Sequence, residues 1–103
     1  GEWKRTIVDD MDMACSFFFF EDKMVIPDLH SRVSIYDGDD RLLAHLGEDQ
    51  QAYKQAGWPG LPAEYYRDDK FSSPHGVCVD SAGHVYVAEW MPTGRLTKLK
   101  PLK

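Results

Sequence analysis

The sequence predicts an all-β fold built from two successive four-stranded antiparallel units. Three observations predict it. Apolar residues recur with a period of two in short runs, the pattern of a half-buried strand and not of a helix. Gly, Pro and Asp punctuate these runs at intervals of about ten residues, the spacing of an all-β chain. The pattern of the first half then returns in the second, the sign of a repeated structural unit. Composition agrees. The chain has 103 residues, 43% hydrophobic and 28% charged, the profile of one folded domain, too ordered for a disordered chain and too short for two domains.

The elements follow in order. Trp3-Lys4-Arg5-Thr6-Ile7-Val8 is a strand-like segment ahead of the first unit. Residues 14–20, Ala-Cys-Ser-Phe-Phe-Phe-Phe, are rich in strand formers and too short for a typical helix. Glu21-Asp22-Lys23 is a polar turn. Met24-Val25-Ile26 is the second run, ended by Pro27-Asp28. Arg32–Tyr36 alternates polar and apolar, and Asp37-Gly38 after it is a hairpin signal. Arg41–Leu46 is the fourth run, stopped by Gly47.

Residues 48–70 read differently. Glu48–Ala56 has helix-compatible composition, enough for two turns, and Gly57-Trp58-Pro59-Gly60 breaks it. A connection of this length in a compact domain is commonly functional. Strands then return at Phe71–Asp80, His84–Trp90 and Arg95–Leu99, closed by Pro101. A fourth is missing. The expected division is an N-terminal strand at 1–13, a first unit at 14–47, an insertion at 48–70, and a second unit at 71–103 that lacks its outer strand.

The two units align. Met24–Asp28 falls on Val85–Glu89, Arg32–Tyr36 on Arg95–Leu99, and Cys15 against His75. Repeated four-stranded units point to a radial or stacked architecture. The residues Ser73-Pro74-His75-Gly76-Val77-Cys78-Val79-Asp80, Gly83-His84-Val85-Tyr86-Val87-Ala88-Glu89 and Gly94-Arg95-Leu96-Thr97-Lys98-Leu99 resemble an NHL repeat. Val25–Tyr36 resembles it more loosely, and residues 48–70 depart from it. The resemblance implies β-propeller blades, six to a closed ring, commonly serving as interaction platforms. Two blades leave two large apolar faces open, which a soluble monomer rarely tolerates. Either the chain is a piece of a longer one or copies assemble; the expectation is a homo-oligomer, with a trimer of two-blade chains completing six blades. The Trp3–Val8 segment, swapped to a neighbour, would supply the missing outer strand and cover an edge.

Charge and cysteines narrow the function. The net charge is −5, and only Lys98, Lys100 and Lys103 cluster, so no basic stripe exists for nucleic acid. No apolar run approaches the roughly 20 residues of a membrane span. Cys15 and Cys78 make neither a CxxC nor a disulfide framework, which predicts reduced thiols and a cytoplasmic location. Asp37, Asp39 and Asp40 read as a solvated turn, since the closing Glu of a calcium loop is absent.

Trp58, Tyr65, Tyr66 and Trp90, with Met91, offer the apolar and aromatic surface that anchors protein, peptide or small-molecule ligands. Arg95 joins them as a ligand-binding candidate. Its guanidinium fork equally suits an internal pair with Glu89, as Arg32 suits Asp28. The resemblance extends distantly to peptidyl-hydroxyglycine amidating lyases, whose propellers take zinc ligands from a Pro-His pair at this strand entry. It implies zinc at His75, three copies around an axis, with Cys15 adding thiolates. Two readings stand: an interaction scaffold, and alternatively a metal-dependent lyase or hydrolase at a symmetric His75 site. No complete nucleophile–base constellation lies within the chain, so binding leads.

Overall fold

The structure, a computed structural model, describes residues 1–7 and 10–102; Val8, Asp9 and Lys103 lie outside the described residues. Two antiparallel sheets form in sequence order. The first contains β1 (Phe18–Phe20), β2 (Lys23–Asp28), β3 (Arg32–Tyr36) and β4 (Leu42–Leu46). The second contains β5 (Pro74–Val79), β6 (Val85–Glu89) and β7 (Arg95–Leu99). Both are simple meanders. The second ends at three strands, as the sequence pattern predicts.

Register sets which side chains face each other. Val25 sits opposite Ile35 and Pro27 opposite Val33, and Val33 opposite Leu46, so these residues share one face. In the second sheet Val77 pairs with Val87 and Val79 with Val85, while Val85 pairs with Leu99. These two faces meet. Val25, Val33, Phe71 and Val87 are the buried centre of the core, with Ile35, Leu46, Val77, Val85 and Leu99 packed around it. The alternating valines thus fill the space between the sheets.

Phe71 reaches this core because Gly47 lets it. Gly47 has φ +57°, and a Cβ there would lie 2.6 Å from the Phe71 ring. The Phe71 N–H donates to the Gly47 carbonyl at 2.8 Å. The glycine that stops β4 is therefore also the floor under the first residue of the second repeat.

The structure corrects two local expectations and shows the hairpin signalled at Asp37-Gly38. Glu48–Ala56 is not a two-turn helix; it holds one 3₁₀ turn, Ala52–Lys54, and a second such turn follows at Ala63–Tyr65. A segment this short lacks the length to sustain a helix by itself, and Asp49 donates its N–H to Ser31 O while its carboxylate accepts from Gln51 N–H. The first strand is shorter than residues 14–20: β1 starts at Phe18, and Ala14 makes only an isolated bridge to Asp28. In the β3–β4 hairpin the positive φ, +65°, falls on Asp40 and not on Gly38. The Asp37 carboxylate accepts from Asp39 N–H and Arg41 N–H to shape that turn.

Residues 1–7 belong to no strand; the Val8 end of the expected strand is outside the described residues. This arm pairs Arg5 with Asp40 beyond the far end of β3. Residues 10–13 meet Asp28 and Arg32 at its near end. Asp28 shares its face with Ile26, and Arg32 with Ser34, by strand alternation. On that face Ile26 is 4% and Ser34 0% exposed.

Gly47→Ala tests the Phe71 seat. A left-handed backbone without glycine plus a ring clash should destabilise the fold by about 2 kcal/mol or more, read as a lowered urea midpoint with an unchanged slope.

Candidate functional site

One hydrogen-bond arrangement occurs twice. At the end of β6 the Glu89 carboxylate is buried and accepts from Ser72 N–H at 2.6 Å, Ser73 N–H at 3.1 Å and Arg95 Nε at 2.6 Å. Arg95 Nη1 and Nη2 donate to the Arg67 and Lys70 carbonyls at 2.8 and 2.7 Å. At the end of β2 the Asp28 carboxylate accepts from Asp12 and Met13 N–H, both at 2.9 Å, from His30 N–H at 3.1 Å and from Arg32 Nε at 3.3 Å. Arg32 Nη2 donates to the Asp10 carbonyl at 2.7 Å and Nη1 to Glu48 at 3.0 Å. In each repeat a buried carboxylate ties the incoming chain to the first residue of the third strand. The expected internal pairs Glu89–Arg95 and Asp28–Arg32 are both present.

Electrostatics follow from these bonds. Burial pushes the Asp28 carboxyl up, but the N–H groups of Asp12, Met13 and His30 and the Arg32 charge outweigh it and hold it below the ordinary range. Asp80, at the β5–β6 turn, is held lower still. The His84 N–H is the main cause, joined by the His84 ring, the Tyr86 hydroxyl and the Ala82 N–H.

Residues 71–97 match the family model of the NHL repeat. The match covers β5, β6, the first three residues of β7 and the Phe71–Ser73 lead-in, and so includes Glu89, its N–H donors and Arg95. It does not extend to the first sheet. No curated protein and no solved structure matches the chain, so the likeness to amidating lyases rests on Pro74-His75 alone.

The other candidate residues fall around this repeat. Arg95, a ligand-binding candidate by sequence, has all three guanidinium nitrogens engaged within the chain and lies 5.8 Å from the Tyr66 ring centre. Trp58 turns inward: its Nε1–H donates to Ser72 O at 3.0 Å and its ring stands edge-on to His30 at 5.6 Å. Tyr65 donates to Asp49, and Tyr66 bridges Pro59 O and Leu61 N–H. Trp58 ties the insertion to the body of the fold, and the Tyr65 and Tyr66 hydrogen bonds close within the insertion. Met91 is buried rather than presented.

Trp90 is 58% exposed. With Met91 and Pro92 it faces Pro59 and Gly60 across a cleft of about 360 Å³. The 58–60 loop and Trp90 do converge on one rim, through Pro59 and Gly60 and not through the Trp58 ring.

His75 is exposed in a bulge between Pro74 and Gly76, its ring 6.3 Å from that of Trp90. Ser16 Oγ donates to the His75 carbonyl at 3.1 Å, and Cys15 Sγ lies 3.9 Å from the Pro74 carbonyl. The lead-ins of the two repeats therefore sit side by side, as the Cys15–His75 alignment implies. Burial raises the Cys15 thiol pKa, which disfavours the thiolate a metal needs. Among the described residues no group of three or more His, Cys, Asp or Glu gathers to hold a metal. A zinc site would need donors from other copies.

Sequence reasoning missed His30, whose Nδ1 meets Asp12 at 2.8 Å and whose ring stacks on Tyr53 at 4.2 Å. Its partner Asp12 is far off in sequence, so no local spacing signals it.

Two measurements check the carboxylate arrangement. Glu89→Gln replaces one accepting oxygen with an NH2 donor that faces other N–H donors and strips Arg95 of its counter-charge, which should cost about 3–5 kcal/mol in urea unfolding. A carboxylate whose folded pKa lies below its unfolded value stabilises the fold above that unfolded value and loses the stabilisation as pH falls through the folded one. Stability should therefore fall as the pH drops below about 4, and Asp28→Asn should flatten that acid limb while lowering stability at neutral pH.

Proposed function

We propose that the chain is an NHL-like interaction module whose two sheets act as propeller blades and whose open faces complete a ring with further copies, three chains making six blades. The carrying observation is an equivalence of faces. Val25, Pro27, Val33 and Ile35 of the first sheet form the face that packs on the second. Their repeat equivalents are Tyr86, Ala88, Leu96 and Lys98, by the alignment of the two repeats. Tyr86 sits opposite Lys98 and Ala88 opposite Leu96, on the face pointing away from the core. That face has no neighbour among the described residues: Leu96 is 71% exposed.

A face that mimics one half of an internal interface is shaped for the other half. The other half has the character of the Val85, Val87 and Leu99 face, and within this sequence its equivalent is the Met24, Ile26 and Ser34 face of the first sheet. A second copy offers that face, which commits the occupant to this chain. Phe17 and Phe19, 60% and 66% exposed at the β1 edge of the first sheet, add apolar area on that side. The rim cleft at Trp90 is the second contact surface, suited to a small apolar or peptide group. Among the described residues of one chain no donor set gathers for the metal-dependent alternative. No helix among the described residues is long and apolar enough to cross a membrane.

Leu96→Asp tests the reading. At an exposed strand position it should change monomer stability by no more than about 0.5 kcal/mol. A charge on the docking face should shift the sedimentation mass distribution fully toward monomer. An unchanged distribution contradicts the proposal.

A further inference from the structure

We propose that the free edge of β7 and the apolar cleft beside it accept the N-terminal arm of a second copy of this chain as the missing fourth strand of the second sheet. The proposal rests on the ring-completing reading above and names how one copy grips the next.

The acceptor has two parts. Among the described residues β7 pairs only with β6, so one row of its backbone donors and acceptors has no described strand beside it. In the first sheet β4 occupies the corresponding place along β3. Next to the bare edge opens a cleft of about 530 Å³, with Ile35, Leu46, Phe71, Val85, Leu99 and Leu102 among its lining residues. An exposed strand edge flanked by space for alternate side chains is the geometry of strand addition.

The occupant is argued from shape and charge. Asp68 and Asp69 line the cleft with Lys100 as the one cation, and both carboxylates are exposed. As a strand, the arm presents Trp3, Arg5 and Ile7 on one face: two large apolar groups for the cleft and a guanidinium for the acidic lip. Lys4, on the opposite face, adds a second cation to the arm. Residues 1–7 join no strand and Trp3 is 78% exposed. Arg5 meets Asp40 in a surface pair, a kind of contact that contributes little.

Sedimentation velocity on the full chain across the micromolar range tests this. We expect concentration-dependent association that weakens about three- to tenfold in Asp68→Lys/Asp69→Lys, and equally in Lys4→Glu/Arg5→Glu. Combining all four substitutions should restore it. Removal of residues 1–7 should give a monomer with the parent circular dichroism that binds a labelled peptide of residues 1–8 one to one. The peptide should slow amide exchange in 95–99. An oligomer indifferent to arm removal and to all four charges overturns arm exchange while leaving the ring reading intact. So does a peptide that binds without protecting 95–99. A monomer at every concentration overturns both.

Discussion

The buried carboxylate at the end of the second strand of each repeat is the constraint on which the remaining structure depends. Asp28 and Glu89 each collect two backbone N–H groups from the incoming chain and one arginine from the third strand. A carboxylate without those donors would be expensive to bury. With them, it fixes three things at once: where the chain enters the repeat, how the second and third strands end, and which direction the arginine fork faces. Remaining guanidinium nitrogens then hold carbonyls further upstream, Asp10 in one repeat and Lys70 in the other. The repeat is thus a repeat of a polar clamp as much as of apolar strands.

That clamp places the lead-ins of the two repeats together, with Ser16 on the His75 carbonyl and Cys15 near Pro74. It also orients the sheets so that one internal interface forms around Val25, Val33 and Val87 and two further faces point outward. The two are not alike. On the outward face of the first sheet Ile26 and Ser34 are buried, and Asp28 and Arg32 hold residues 10–13 at its end. That of the second sheet carries Leu96 and is flanked by Trp90, both exposed. The two sheets therefore present different surfaces, and among the described residues β7 pairs with β6 alone.

Much of the fold was legible in the sequence. Short runs of strand formers bounded by Gly, Pro and Asp located the seven strands among the described residues, and in Arg32–Tyr36 burial on one face writes alternation directly into the sequence; β2 runs through Pro27 to Asp28 instead of ending before them. The Asp28–Arg32 and Glu89–Arg95 pairs were legible as matched charges at the same place in two repeats. The backbone partners of those carboxylates were not, since an N–H group of Ser72 or Asp12 carries no side-chain signature. Loop aromatics were read less well. Trp58, Tyr65 and Tyr66 look like presented surface by composition, yet each directs its polar atom to a partner within the fold. Composition reports that an aromatic is in a loop and not which way it turns. The cleft beside β7 was invisible, because it is lined by Leu46, Asp69, Val85 and Leu102 from four separate stretches of chain.

Amide hydrogen exchange at four residues tests the central claim most directly. If the two carboxylate clamps hold the repeats together, the N–H groups of Asp12, Met13, Ser72 and Ser73 should exchange among the slowest in the chain, by global opening, although none lies within a strand. Exchange of Ser72 and Ser73 as fast as that of exposed turn residues would contradict it.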